Sequence, residues 1–191
     1  MKSILLSIKP KYVELIASGE KTIEVRKTAP KCDVPFKCYI YCTSSDVHSA
    51  LVVGYGDAKL IHCCNYKSAI PVGGAIGNGK VIGEFICDKL FLLHPYTYDG
   101  GNADLERRKF IQTFEGSSKE NEILAATCLT QDKMFDYIGA DNYGYGWHIS
   151  DLKIYDKPKE LREFFTPMGK RPSYMVERPP QSWQYMEKED E

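Results

Sequence analysis

The stretch Gly19-Glu20-Lys21-Thr22-Ile23-Glu24-Val25-Arg26 decides how the chain is read. It follows the stripe Tyr12, Val13, Leu15 and Ile16, whose spacing is helical, and Gly19 is the kind of residue that stops a helix. From Thr22 the pattern alternates as a strand does. An extended chain turns successive side chains to opposite faces, so Thr22, Glu24 and Arg26 share one face while Ile23 and Val25 point into a core. Lys21, at the turn from helix to strand, leans over the polar face. Four of the eight residues are charged. They predict either a site that combines a hydroxyl, a carboxylate, a guanidinium and an ammonium, or a solvated edge strand whose Glu–Arg pair contributes little.

Upstream, residues 3–8 alternate weakly and read as a first strand, and Pro10 suits the first turn of the helix. Downstream, residues 27–35 read as a loop and residues 36–43 as a strand. That strand carries Phe36, Cys38, Ile40 and Cys42 on one face, the two cysteines serving as small core hydrophobes. Residues 44–50 read as a loop, and 51–64 as strand with a bend at 54–56. The glycine-dense stretch 71–79 lacks a following Lys-Ser/Thr and leads into a strand, so it reads as a connector and not a phosphate loop. Residues 80–93 give the strongest strand signal. Val81, Gly83, Phe85 and Cys87 fall on one side, and Ile82, Glu84 and Ile86 on the other. Glu84 is then an acid among apolar neighbours, either a proton-transfer group or a structural partner of Lys21 or Arg26.

Residues 95–140 change character. Helical spacing runs through 102–114, through the segment that Ser117-Ser118-Lys119-Glu120 opens, and through 131–138 up to Gly139. This predicts a helical insertion over 95–140 that covers or flanks a cleft. Residues 142–150 return to extended structure, with His148 and Ser150 on one face and Trp147 and Ile149 on the other. Same-strand neighbours two apart rarely make a nucleophile pair, so His148 reads as a structural histidine or a ligand contact. Residues 151–155 continue as strand and 158–165 read as a short helix. In the tail, Trp183 and Tyr185 need burial or a flat ligand; aromatics beside basic residues stack on nucleobases. Trp183 would equally close the core.

A length of 191 residues with 43% hydrophobic content fits one domain, or a small domain with an insertion. The formal net charge of −1 argues against coating long nucleic acid and leaves small ligands, single nucleotides and short RNA loops. No apolar run approaches a membrane span or a signal peptide. Seven scattered cysteines without a C-x-x-C pair suit reduced thiols and a cytoplasmic setting. His62-Cys63-Cys64 has no second ligand cluster to complete a zinc site, so no metal and no cofactor are expected.

Gly19, Lys21, Glu24 and Arg26, in the spacing G-x-K-x-x-E-x-R, resemble the signature of the ASCH domain, a small β-barrel family of the PUA-like group. Leu5-Leu6-Ser7-Ile8-Lys9-Pro10 is similar to that family's opening, and Lys80-Val81-Ile82-Gly83-Glu84-Phe85 to its later barrel strand. The C-terminal half resembles longer bacterial and phage-type members. The resemblance implies an α+β fold: residues 1–191 as a single small PUA-like, mostly antiparallel β-barrel flanked by helices, with the insertion at 95–140. It implies RNA or a nucleotide or modified nucleoside as partner, held by Lys21, Glu24 and Arg26 with His148 and Trp183 as further contacts. It also implies an alternative, an amidohydrolase that deacylates N4-acetylcytidine, with Lys21, Thr22, Glu24 and Glu84 as catalytic candidates. Those hydrolases carry a Lys–Thr pair and a distant Glu; here the position of their Thr holds Glu24, and Thr22 lies two residues away. A third implied role is a non-catalytic protein-interaction module, which would show an apolar patch at the signature strand.

Overall fold

In the computed structural model the described residues are 1–44, 49–62, 70, 73–98, 108–113, 117–167 and 173–187. The chain opens with β1 (Ser3–Ile8), α1 (Pro10–Ala17), β2 (Ile23–Arg26) and β3 (Phe36–Cys42). A hairpin of β4 (Ser49–Gly54) and β5 (Asp57–His62) follows, then the short β6 (Ala75–Ile76), β7 (Val81–Cys87), β8 (Leu90–Tyr98) and β9 (Arg108–Thr113). The helices α2 (Ser117–Ala125) and α3 (Gln131–Ile138) precede β10 (Gly144–His148), β11 (Ser150–Lys159) and β12 (Trp183–Met186).

The strands form an α+β fold of mixed, mostly antiparallel sheets. One sheet runs β11-β7-β3-β1-β12, a second β2-β10-β8-β9 and a third β5-β4-β6. The one parallel pair among the described strands is β1 with β3, which the helix α1 between them permits. The expected single closed ladder is thus three sheets packed around a common core. Between β1 and β2 the contact is made by side chains: Arg26 Nη2 donates to the Ser7 carbonyl at 2.7 Å.

That core holds Ile4, Leu6 and Ile8 of β1, Phe36, Cys38, Ile40 and Cys42 of β3, and Phe85 and Cys87 of β7. Val13 and Ile16 of α1 cover one side, and Trp147 of β10 enters from the second sheet. The other face of the first sheet is covered too, with Leu5, Tyr39, Tyr155 and Phe164 in a separate cluster. Burial of both faces explains why β1 alternates so weakly in sequence.

Three expectations fail locally. The register between β3 and β7 shifts between Val81 and Gly83, so Ile82 joins Phe85 and Cys87 in the main core while Val81 packs on the opposite face. Residues 108–113, expected to be helical, pair with β8 as β9; an available partner strand overrides local spacing. Pro158 lies inside β11, an edge strand where a missing N–H is tolerated, and only a 3₁₀ turn, Leu161–Glu163, follows. By contrast α3 runs from a Thr130 cap to Gly139, as its sequence indicates.

The thiols behave as core atoms. Cys38, Cys42 and Cys87 are each 0% exposed. Burial pushes Cys42 and Cys87 up to about 12 and raises Cys38 well above the ordinary thiol range. Iodoacetamide at pH 8, followed by peptide mapping, should leave these three unmodified in the folded protein and modify them after denaturation. Rapid native labelling would show that the core is open at β3 and β7. Among the described residues no group of His, Cys, Asp or Glu could hold a metal ion; Cys63 and Cys64 lie outside them. No helix among them is long and apolar enough to cross a membrane.

Candidate functional site

All four residues of β2 are buried. Ile23 and Val25 pack toward α2 and α3, joining Ile123 and the pair Leu124 and Met134 respectively. The opposite face is also interior: Glu24 is 7% and Arg26 6% exposed. The antiparallel register with β10 sets Glu24 opposite Trp147 and Arg26 opposite Tyr145. The charged alternation is therefore not a solvated edge.

Charges at this depth must be paired, because desolvation is costly. Lys21, 1% exposed, faces three oxygens: the Thr127 carbonyl at 2.6 Å, the Ile23 carbonyl at 2.8 Å and Glu24 Oε2 at 3.3 Å. That matches the three protons of an ammonium. Glu24 Oε1 meets Arg26 Nη2 at 3.0 Å, and Arg26 Nη1 donates to Ser182 Oγ at 3.4 Å. One carboxylate is thus shared by two cations. By bonding both the Thr127 and the Ile23 carbonyls, Lys21 ties the turn after α2 to β2, and the Ala126 carbonyl adds backbone bonds from Thr22 and Ile23.

A cleft of about 590 Å³ opens beside this triad, within the range of small-ligand sites. Its lining includes Ser7, Lys9 and Tyr12 from the β1–α1 junction and Lys133, Asp136 and Tyr137 from α3. The Tyr137 ring lies 5.3 Å from Lys27 Nζ. Burial pushes its phenol up, Arg26 pulls it down, and Glu24 adds to the rise.

Of the residues the sequence singled out, Lys21, Glu24 and Arg26 converge. Thr22 sits just before β2 with its backbone bonded to Ala126 and Ile149, and it is not part of the cleft lining. Glu84 is on the far face of the first sheet. Its carboxylate accepts from Tyr155 Oη at 2.5 Å and meets Lys37 Nζ at 3.5 Å, in place of Lys21 or Arg26. His148 Nδ1 lies 2.6 Å from Asp88 Oδ1, and this bond holds the Asp88 carboxyl below its usual range. Ser150 Oγ donates to the Ile86 carbonyl, so His148 and Ser150 serve separate partners. Trp183 packs 5.9 Å from Trp147 and donates through Nε1 to Thr28. Its neighbours Gln181 and Ser182, and not Trp183 itself, reach the cleft or its triad.

Sequence reasoning missed the α3 wall. The apolar spacing of Met134, Phe135 and Ile138 marks the buried face of α3 and leaves Lys133, Asp136 and Tyr137 off it. Which neighbour those three would face depends on how α3 docks, which spacing does not reveal.

Residues 6–82 match the family model of the ASCH domain. The fold is similar to crystal structures of ASCH from Zymomonas mobilis. A tyrosine-to-phenylalanine mutant gives a TM-score of 0.54 at 16% identity, covering 98% of this chain and 92% of that one. A serine-to-alanine mutant gives 0.53 at 16% identity, with 98% and 89% coverage. A further structure of the same protein gives 0.50 at 16% identity, also with 98% and 89% coverage. At such identity the likeness speaks to fold alone. No curated protein matches.

Proposed function

We propose that the cleft, part of whose lining falls within the residues 6–82 that match the ASCH-domain family model, recognises an unpaired nucleobase, carried by a nucleoside, a nucleotide or single-stranded RNA. The observation that carries this reading is Glu24, held between Lys21 and Arg26 beside the cleft. A fixed carboxylate accepts from the amino group of a base edge, as acidic side chains do with cytosine. Tyr12 and Tyr137 both line the cleft, and the more exposed Tyr137 offers a ring for stacking. Exposed bases in RNA are read through this combination of stacking and edge hydrogen bonds.

The geometry favours recognition over hydrolysis. Lys21 spends its protons on three fixed acceptors, which suits holding a charge and not moving a proton. Thr22 and Glu84 stand apart from it. A flat apolar docking patch is also a poor description of a concave site floored by charges.

Calorimetric titration with the four ribonucleosides, N4-acetylcytidine and a short single-stranded RNA tests this. Tyr137→Ala, at a partly exposed position, should weaken binding by about tenfold or more, given stacking contributions of about 1–3 kcal/mol per base. Turnover of N4-acetylcytidine that disappears in Lys21→Ala would replace recognition with hydrolysis.

A further inference from the structure

A β-sheet presents a row of main-chain donors and acceptors wherever it ends, and folded chains ordinarily blunt such edges with charge, proline, bulges or covering groups. The three sheets end in β11, β12, β2, β9, β5 and β6, and all but β12 are blunted. Strand β11 has register shifts and Pro158. Side chains of Gln131 and Glu14 accept from the N–H groups of Ile111 in β9 and Leu60 in β5. The Ala126 carbonyl takes the Ile23 N–H of β2, and β6 is two residues long. By contrast β12, Trp183-Gln184-Tyr185-Met186, has no charge, no proline and no register shift.

The register shows which of its groups face outward. Ser7 N–H donates to the Ser182 carbonyl at 3.0 Å, and Leu5 and Ser3 stand opposite Gln184 and Met186. Hydrogen-bonded pairs alternate along an antiparallel ladder, so these pairs face β1, and the main-chain groups of Trp183, Tyr185 and Glu187 point away from it. Glu187 agrees: its N–H donates to the Phe165 carbonyl at 2.8 Å. The outward groups of Trp183 and Tyr185 make no main-chain bond among the described residues.

The surface beside this edge is open as well. A pocket of about 510 Å³ lies against Gln184, with Tyr174, Met175, Glu177 and Arg178 in its lining. Tyr174 is 60% and Met175 45% exposed. Glu177 and Arg178 are exposed, and neither forms an ion pair among the described residues. The Gln184 amide donates to the Met186 thioether at 3.7 Å, a weak acceptor.

We propose that β12 joins two copies of this chain, antiparallel about a twofold axis through Gln184. In this register Trp183 stands opposite Tyr185 of the partner subunit and exchanges two main-chain bonds with it, and the twofold repeats them. Phe165 closes the edge at Glu187, and the chain bends at residues 181–182, so the added strand turns off before it meets Phe165. The side chains argue for a second copy over a strand of another protein. A twofold interface sets a surface against itself. Gln184 then meets its own counterpart, two amides that each donate and accept. Glu177 meets Arg178 of the partner subunit, and Arg178 meets the partner's Glu177, because a neighbouring pair of opposite charges is its own complement.

Sedimentation of the full chain from about 5 to 500 µM tests this, since association follows mass action. The wild type should dimerise with a dissociation constant on the order of 10–100 µM, as so short an edge lies at the small end of specific interfaces. Glu177→Arg alone and Arg178→Glu alone place like charges across the axis, and each should weaken dimers by about tenfold or more. Mixed together, these two variants should associate as wild type does, and so should the double swap. Gln184→Lys, with two cations on the axis, should abolish dimers. An unchanged Tm in dilute solution confirms that each variant is folded. Amide exchange supplies a residue-level readout: Trp183 and Tyr185 should slow several-fold as concentration rises, while Gln184, already bonded to β1, should not. A wild type that stays monomeric throughout would overturn the proposal. So would dimers that survive Gln184→Lys, or charge variants that fail to complement each other.

Discussion

Glu24→Ala should destabilise the fold by about 3–5 kcal/mol, the usual cost of removing one partner from a buried ion pair. In a chain of 191 residues that corresponds to a fall in Tm of roughly 10 °C or more. The reason is the geometry of sharing. Each Glu24 oxygen faces a different cation, Lys21 at 3.3 Å and Arg26 at 3.0 Å. Alanine would leave an ammonium and a guanidinium as buried neighbours of like charge, with one acceptor fewer for Lys21. Glu24→Gln retains an acceptor oxygen and should cost less. Lys21→Met should fall between: the Glu24–Arg26 pair survives, but the Ile23 and Thr127 carbonyls lose their donor, and the turn after α2 keeps only its backbone bonds to Thr22 and Ile23. Urea unfolding of the three variants gives the order directly. A Glu24→Ala protein within about 1 kcal/mol of wild type would mean that water reaches the cations, as at surface pairs, and that the triad is not a dry floor.

The same residues show what a sequence discloses and what it withholds. Gly19 and Gly139 end α1 and α3 where expected because helix termination is local, set by positive φ and the loss of periodicity. The cysteines of β3 were legible for a similar reason: alternation assigns a face. Alternation does not assign a sheet. Glu84 and Glu24 look alike as acids in strands, yet β7 lies in the first sheet, where Glu84 is directly opposite Tyr39 of β3 and Lys153 of β11. Glu24 instead lies in the second sheet beside β10. The bulge that sends Val81 and Ile82 to unexpected faces is a pairing event, and so is the conversion of 108–113 into a strand. Gly83 carries a faint mark of it, since a Cβ there would lie 2.5 Å from the Lys153 carbonyl of the neighbouring strand; a glycine inside a strong strand pattern signals a close backbone approach. The α3 wall of the cleft had no such mark. Polar residues on the open face of an amphipathic helix read as solvated until docking gives them a neighbour.

Trp147→Ala should cost about 3–5 kcal/mol, as deletions of large buried aromatics do, whereas Trp147→Phe should cost less than half as much. Trp147 is 0% exposed and is the largest wholly buried side chain among the described residues. It comes from the second sheet into a core built mainly by the first, meeting Phe36 edge-on at 5.3 Å and Trp183 at 5.9 Å. Alanine would open a cavity where the two sheets are joined by packing and not by a continuous ladder, so little backbone is available to collapse into it. Phenylalanine keeps most of the apolar contact and removes an indole N–H that has no acceptor among the described residues, offsetting part of the lost volume. The consequence should reach the cleft. Trp147 is the cross-strand partner of Glu24, so loosening β10 would loosen the strand that fixes the carboxylate. Equilibrium unfolding measures the first effect, and titration of whichever nucleotide binds wild type measures the second. Trp147→Phe should retain that affinity within about threefold, while Trp147→Ala, at a temperature where it is still folded, should lose about tenfold, the equivalent of about 1.4 kcal/mol. Should both variants bind like wild type, Glu24 would be positioned by its ion pairs alone, and the packing of the two sheets would matter to stability without shaping the site.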